Sequence, residues 1–216
     1  MAPTPPMVRS CLVLGVGAGA GQTLVTAALV SGLCRGGVKA VAMQPVARGE
    51  RDAAGSWHSG ELQRLASAGA FPLPARVLCT SMQATGEDGE PPALDAVVDT
   101  FRVLATWADA VVVDAREPGS AALVRALRLP VVLVVALREG CVAAAQRALA
   151  GLRDEGLECA GWIGNHRRRD DDGWLAALQR SLAPACLGVI PTLPADQGDR
   201  AGAGLDLPQL LEALAA

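Results

Sequence analysis

Short, continuous apolar runs alternate along the chain with longer stretches in which Ala and Leu recur at helical spacing. The runs at residues 10–14, 38–43, 110–114, 131–136, 159–164 and 187–190 are strand-length and rich in Val, Leu and Ile. Helical spacing covers 23–35, 60–68, 91–107, 142–155, 172–182 and 207–215. The first of these stops at Gly36-Gly37 and the fourth at Gly156, residues that end helices readily. Apolar runs that do not alternate with polar residues belong to strands buried on both faces. Such strands, alternating with helices, predict a doubly wound, mostly parallel α/β sheet with helices on both faces. Ligands in such sheets sit beyond the carboxyl ends of the strands. The loops to inspect therefore follow Leu14, Met43, Asp114, Ala136, Gly164 and Ile190. Residues 86–92, rich in Gly, Pro and acids, read as a surface loop, and no internal repeat is present.

Composition narrows this picture only slightly. A length of 216 residues with 51% hydrophobic content suits one sizeable core. The expectation is a disordered lead at 1–9, with three prolines, followed by a single domain at 10–216. A net charge of -3 gives no general attraction to nucleic acid or to anionic membrane. The basic run Arg167-Arg168-Arg169 is followed at once by Asp170-Asp171-Asp172 and reads as a self-neutralising loop. No apolar stretch approaches the ~18 residues of a membrane span. The six cysteines lie scattered in apolar contexts without a CxxC pair, which favours buried free thiols in a cytoplasmic protein. The two histidines, His58 and His166, lack ligand-spaced partners, so a zinc site is not expected.

The candidate chemistry begins after the first strand, at Gly15-Val16-Gly17-Ala18-Gly19-Ala20-Gly21-Gln22-Thr23. A glycine-rich turn from strand to helix lets backbone N–H groups converge on an anion, and the helix N-terminus adds partial positive charge. Such a loop also serves as a plain tight turn, but its position and its terminal Gly-x-Thr favour a phosphate loop, with the Thr23 hydroxyl placed for Mg²⁺. Phosphate loops of this form carry lysine before the hydroxyl residue, and Gln22 stands there instead. Glutamine donates a neutral hydrogen bond and neutralises nothing. Losing a charge-assisted contact in a dry site costs on the order of 2–4 kcal/mol. That is about 10² to 10³ in rate.

From these residues onward the chain resembles the dethiobiotin synthetase family. The family's loop Gly-Thr-Asp-Thr-x-x-Gly-Lys-Thr has the length of Gly15 to Thr23, and its Lys-Pro-Val-x-Ser-Gly reads here Gln44-Pro45-Val46-Ala47-Arg48-Gly49. Its Leu-Pro-Val-x-Leu-Val-Val-Gly-x-x-x-Gly-Cys is nearly the text of 129–141. Its Gly-Trp-x-x-Asn matches 161–165, and its Leu-Gly-x-Ile-Pro-x-Leu matches 187–193. The resemblance implies a P-loop NTPase type of fold and a homodimer using ATP and Mg²⁺. It also implies a reaction in which a diamine biotin precursor, 7,8-diaminononanoate, is carboxylated and its ureido ring closed. One amine captures CO₂ as a carbamate, the γ-phosphate activates it, and the second amine closes the ring.

Carried over by position, the resemblance assigns nucleotide contacts to Gly15, Gly17, Gly19, Gly21, Gln22, Thr23, Asn165 and Pro191. Asn165 stands where the family reads the adenine edge, although an asparagine after a strand is also a common loop residue. Metal positions fall on Thr23, Glu61 and Asp114, and the substrate stretch on Thr80 and Ser81. Gln22 and Gln44 occupy the two positions where the family has reactive lysines. Gly17 replaces an acidic residue, and Ala115-Arg116-Glu117-Pro118 replaces a glycine-rich segment. Lys39, the only lysine, lies five residues before Gln44 on the second strand, an offset of roughly 16 Å at strand rise. Arg48 and Arg116 are the better candidates for a substitute cation, each also readable as a solvated arginine. The chain thus reads as a synthetase-like protein with impaired or lost catalysis. The alternatives are a non-catalytic nucleotide- or precursor-binding protein and a dimer partner on the same fold.

Overall fold

The computed structural model describes residues 9–85, 89–115, 120–166, 172–192 and 201–215. Its main sheet has six parallel strands in the order β2-β6-β1-β7-β8-β9. These are β1 (Cys11–Gly15), β2 (Ala40–Met43), β6 (Ala110–Asp114), β7 (Val131–Leu137), β8 (Cys159–His166) and β9 (Cys186–Ile190). All seven residues of β7 are buried, as are all of β2 and β6, because helices cover both sides of the sheet.

Helix α1 (Gln22–Arg35) packs on β1, β2 and β6, with α2 (Gly60–Ala68) and α7 (Leu207–Ala213) beside it. Helix α3 (Leu94–Ala105) lies on β6 next to α4 (Ser120–Leu127). Helices α5 (Cys141–Asp154) and α6 (Asp172–Ser181) lie together on β7. Trp162 is fully buried on β8, and its indole N–H donates to the Pro184 carbonyl at 3.1 Å.

The doubly wound sheet therefore matches the expectation, with strand and helix ends displaced by a few residues. Three further strands were not expected. β3 (Val46–Arg51), β4 (Trp57–His58) and β5 (Ser81–Ala84) form a second, small sheet, with β3 parallel to β5 and antiparallel to β4. The text of β3, Val-Ala-Arg-Gly-Glu-Arg, is half polar and ends exposed, so it carries no core signature. Its turn is held by Asp52, whose Oδ1 accepts from Ala54 N and Ser56 N while Oδ2 pairs with His58 Nε2 at 2.8 Å. The helical spacing does not predict the short helix α4 either.

The first and last described segments are tied to this frame. Arg9, placed at the end of the lead, donates its backbone N–H to Leu214 O at 2.7 Å and forms a two-pronged ion pair with Glu158. Arg35 on α1 donates to the Gly202 carbonyl, fixing the segment before α7. All six cysteines are free thiols. Burial alone pushes the Cys11 thiol up to about 12, and burial, against a weaker hydrogen bond, pushes Cys159 to about 11. No described helix is long and apolar enough to cross a membrane. The lead at 1–8, the run Arg167-Arg168-Arg169, Arg116 and residues 86–88 of the 86–92 loop lie outside the described residues.

Candidate functional site

The strand register decides which side chains meet. Val13 of β1 stands level with Asp114 of β6, and Met43 of β2 with Val113. On the other side Gly15 stands level with Val134, Ala136 with Asn165, and Asn165 with Ile190. The loop after β1, Gln44, Asp114, Asn165 and Pro191 therefore emerge along one edge of the sheet, the carboxyl edge. β1 sits where the chain reverses direction across the sheet, between β6 and β7, which is where such sheets open a crevice.

The loop itself is shaped for an anion. Gly17, Gly19 and Gly21 have φ values of 83°, 70° and 83°, the left-handed region that side chains disfavour. Gly21 is the N-cap of α1, makes no side-chain cap, and no acid occupies the helix's first turn. An uncapped helix start of this kind turns partial positive charge toward an external anion.

Gln22 does not aim at that acceptor. Its Nε2 donates to Val13 O at 2.7 Å and its Oε1 accepts from Gly15 N at 3.0 Å. The side chain lies back along β1 as an amide bridge within its own loop. It borders an apolar cavity of about 250 Å³ between α4 and α5, lined among others by Leu14, Ala115, Val124 and Leu152.

On the β6 side three buried polar groups meet. Asp114 Oδ2 accepts from Thr23 Oγ1 at 2.7 Å and from Gln44 Nε2 at 3.1 Å. Asp114 and Gln44 are fully buried and Thr23 is 4% exposed. Gln44 Oε1 is buried with no hydrogen-bond partner among the described residues. A hydroxyl, a carboxylate and an orphaned amide oxygen form a hard-oxygen donor set of the kind that holds Mg²⁺ beside a phosphate. The residues fit the metal that a phosphate loop implies. Glu61 lies in the first turn of α2, which Ser59 caps by accepting from Leu62 N, and its Oε2 is buried.

On the far side, Asn165 Nδ2 donates to Ala20 O at 2.7 Å. A Cβ on Gly21 would collide with that amide, so Gly21 is required both by its φ and by the close approach. Asn165 thereby anchors the phosphate loop to β8. One of its two amide hydrogens is thereby used, and the side-chain oxygen is the group able to accept from an exocyclic amine. Pro191 is exposed just past β9.

Thr80 and Ser81 are brought to Gln44 through the backbone. Both their N–H groups donate to Pro45 O at 3.1 Å, and Gln44 N donates to Leu78 O. The Thr80 hydroxyl turns to Thr100 on α3, at 3.1 Å. Ser81 borders an open pocket of about 550 Å³ with Arg51, Trp57 and Glu90. Lys39 lies one residue before β2, at the amino end, away from the site. Arg48 lies on β3, opposite Gln83.

One residue absent from the sequence expectations touches the loop. Arg138, just past β7, donates from Nη2 to Ala18 O at 3.2 Å. The strand pattern points to the loop after Ala136, but nothing in the sequence shows that its arginine reaches the phosphate loop.

A family model described as an AAA domain matches residues 9–198. A protein of Ralstonia nicotianae, "ATP-dependent dethiobiotin synthetase BioD", is 34% identical over 228 residues, covering 95% of this chain and 99% of the relative. A protein of the same name from Xanthomonas euvesicatoria is 33% identical over 220 residues, covering 91% and 97%. Among solved structures, the MinC:MinD cell division protein complex of Aquifex aeolicus gives a TM-score of 0.62 at 15% identity, covering 95% of both chains. A ParA family ATPase of Chlorobium tepidum gives 0.58 at 12% identity, covering 95% and 96%. These structural likenesses concern the fold.

Proposed function

The chain belongs to the dethiobiotin synthetase family, and from that premise we propose that it keeps the family's nucleotide and Mg²⁺ site while its phosphoryl chemistry is strongly weakened. The observation that carries this reading is the pair of buried or half-buried amides at the reacting edge. Gln22 is engaged with Val13 and Gly15, and Gln44 with Asp114. Neither position offers a positive charge to an incoming phosphate or carbamate.

The binding half of the site has support of its own. The positive-φ glycines shape the loop, Asn165 anchors it, and Thr23 and Asp114 stand within one hydrogen bond of each other. In this reading Thr23 and Asp114, with Gln44 Oε1 beside them, hold Mg²⁺, and the loop N–H groups hold the phosphates. Asn165 Oδ1 accepts from the base amine, with Pro191 alongside. Bound ATP supplies the phosphoryl group that activates a carbamate. The chain's own contribution is position and hydrogen bonding, and in phosphoryl transfer positioning without charge leaves most of the barrier in place. Thr80 and Ser81 border the diamine side, near Gln44. Residues 10–216 act as one domain, in the cytoplasm and as a homodimer.

A non-catalytic nucleotide-binding role is the limiting case, favoured by the same engagement of Gln22. Calorimetric titration with ATP and Mg²⁺, paired with ADP release in the presence and absence of 7,8-diaminononanoate and bicarbonate, tests the proposal. Saturable binding with little diamine-dependent release supports it. Absence of any nucleotide binding overturns it.

A further inference from the structure

We propose that Arg138 is the cation of the phosphate loop, holding the nucleotide's phosphates in place of the charge that position 22 lacks. The inference rests on the nucleotide-binding reading above and adds a residue to it.

Arg138 gains its place from the sheet. β7 is the neighbour of β1 on the side away from Asp114, and the Gly15–Val134 register brings both strands out at the same edge. The chain leaves β7 at Leu137, so the next side chain rises beside the loop. Its Nη2 lies 3.2 Å from Ala18 O and 3.5 Å from where a Cβ on Gly17 would be. The guanidinium is thus fixed over the middle of the loop, between the positive-φ turns at Gly17 and Gly19.

Three features make this cation available to an anion. A guanidinium has five N–H donors, and the bond to Ala18 uses one of them. No acidic side chain among the described residues pairs with it. Gly17 has no side chain that could neutralise it, and Arg138 is exposed where a phosphate would arrive. Gln22 meanwhile folds the other way, along β1. Arginine suits phosphate through two parallel N–H bonds, which a lysine point charge does not supply.

A purely structural tether from β7 to the loop is the competing account, and Arg138→Gln separates the two. Glutamine keeps a donor for Ala18 O but removes the charge. Calorimetry on the full chain with Mg-ATP, Mg-ADP and AMP is the assay, repeated at two salt concentrations, with a thermal melt of each variant. The proposal expects Arg138→Gln to weaken Mg-ATP by about tenfold or more. It expects a smaller loss for Mg-ADP, almost none for AMP, and a flatter salt dependence. Arg138→Lys, which keeps the charge but not the paired donors, should recover part of the loss. Equal Mg-ATP affinity in wild type and Arg138→Gln overturns the assignment while leaving the binding reading intact. Equal losses for ATP and AMP, or no recovery with lysine, overturn it in favour of the tether. A wild-type protein that binds none of the three overturns both.

Discussion

Replacing Gln22 with lysine separates what the amide does for the fold from what it withholds from a ligand. In the native loop the side chain accepts from Gly15 N at 3.0 Å and donates to Val13 O at 2.7 Å. Lysine has no acceptor for Gly15 N. If its ammonium turns toward the phosphate cup, Val13 O loses its partner as well. The residue is only partly buried, so water replaces some of each bond, and each is worth about 0.5–1.5 kcal/mol net. Gln22→Lys should therefore destabilise the unliganded protein by about 1–3 kcal/mol, a fall of roughly 2–4 °C in Tm for each kcal/mol in a chain of this size. With Mg-ATP the order should reverse, because a charge-assisted bond to phosphate is about twice as strong as a neutral one. The ligand-induced rise in Tm should exceed that of the wild type, since stabilisation follows ligand concentration over Kd. Differential scanning fluorimetry with and without Mg-ATP reads both effects in one experiment. A variant with unchanged Tm when empty and an unchanged rise with nucleotide would refute both the amide bridge and the phosphate cup.

Asn165→Ala removes the anchor from Ala20 O, a buried bond, and should cost about 1–3 kcal/mol together with a loss of nucleotide affinity, checked by chemical denaturation and calorimetry. Gly161→Ala would place a Cβ 2.6 Å from Leu187 Cγ and 2.8 Å from Ala185 O, so denaturation should show a loss of about 1–3 kcal/mol from forcing β8 and β9 apart. Cys11 is fully buried with its thiol raised from 9.0 to about 12, so the folded protein keeps it protonated where the unfolded chain would ionise. Its contribution to stability is complete below pH 9 and is lost as pH rises through about 12, so unfolding midpoints followed against pH should fall in that window. Alkylation at pH 8 should accordingly spare Cys11 in the native protein and label it in denaturant.

The main sheet was legible because buried parallel strands leave uninterrupted apolar text, as in Val131–Leu137. The small sheet was not, because β3 and β4 are held by local polar bonds around Asp52 and by Arg51 stacking 4.6 Å over Trp57. Such contacts have no periodicity to read. At the site, the spacing of the glycines pointed to the loop and to Thr23, and the strand ends pointed to Gln44 and Asp114. What side chains do once there depends on three-dimensional neighbours. Gln22 was expected to face a phosphate weakly, and it turns to its own strand instead. Asn165 was expected at the base, and its donor anchors the loop. Arg138 lies 120 residues from Ala18, and only the β1–β7 pairing brings them together.

The central claim is a site that binds nucleotide but has neutral amides, Gln22 and Gln44, at the two positions where transfer needs charge. Its most direct test is diamine- and bicarbonate-dependent ADP release measured side by side with the Ralstonia nicotianae relative, both saturated with Mg-ATP. The account predicts saturable nucleotide binding with turnover lower by about 10² or more, the loss expected for one missing charge-assisted contact in a dry site. Turnover equal to that of the relative would contradict it.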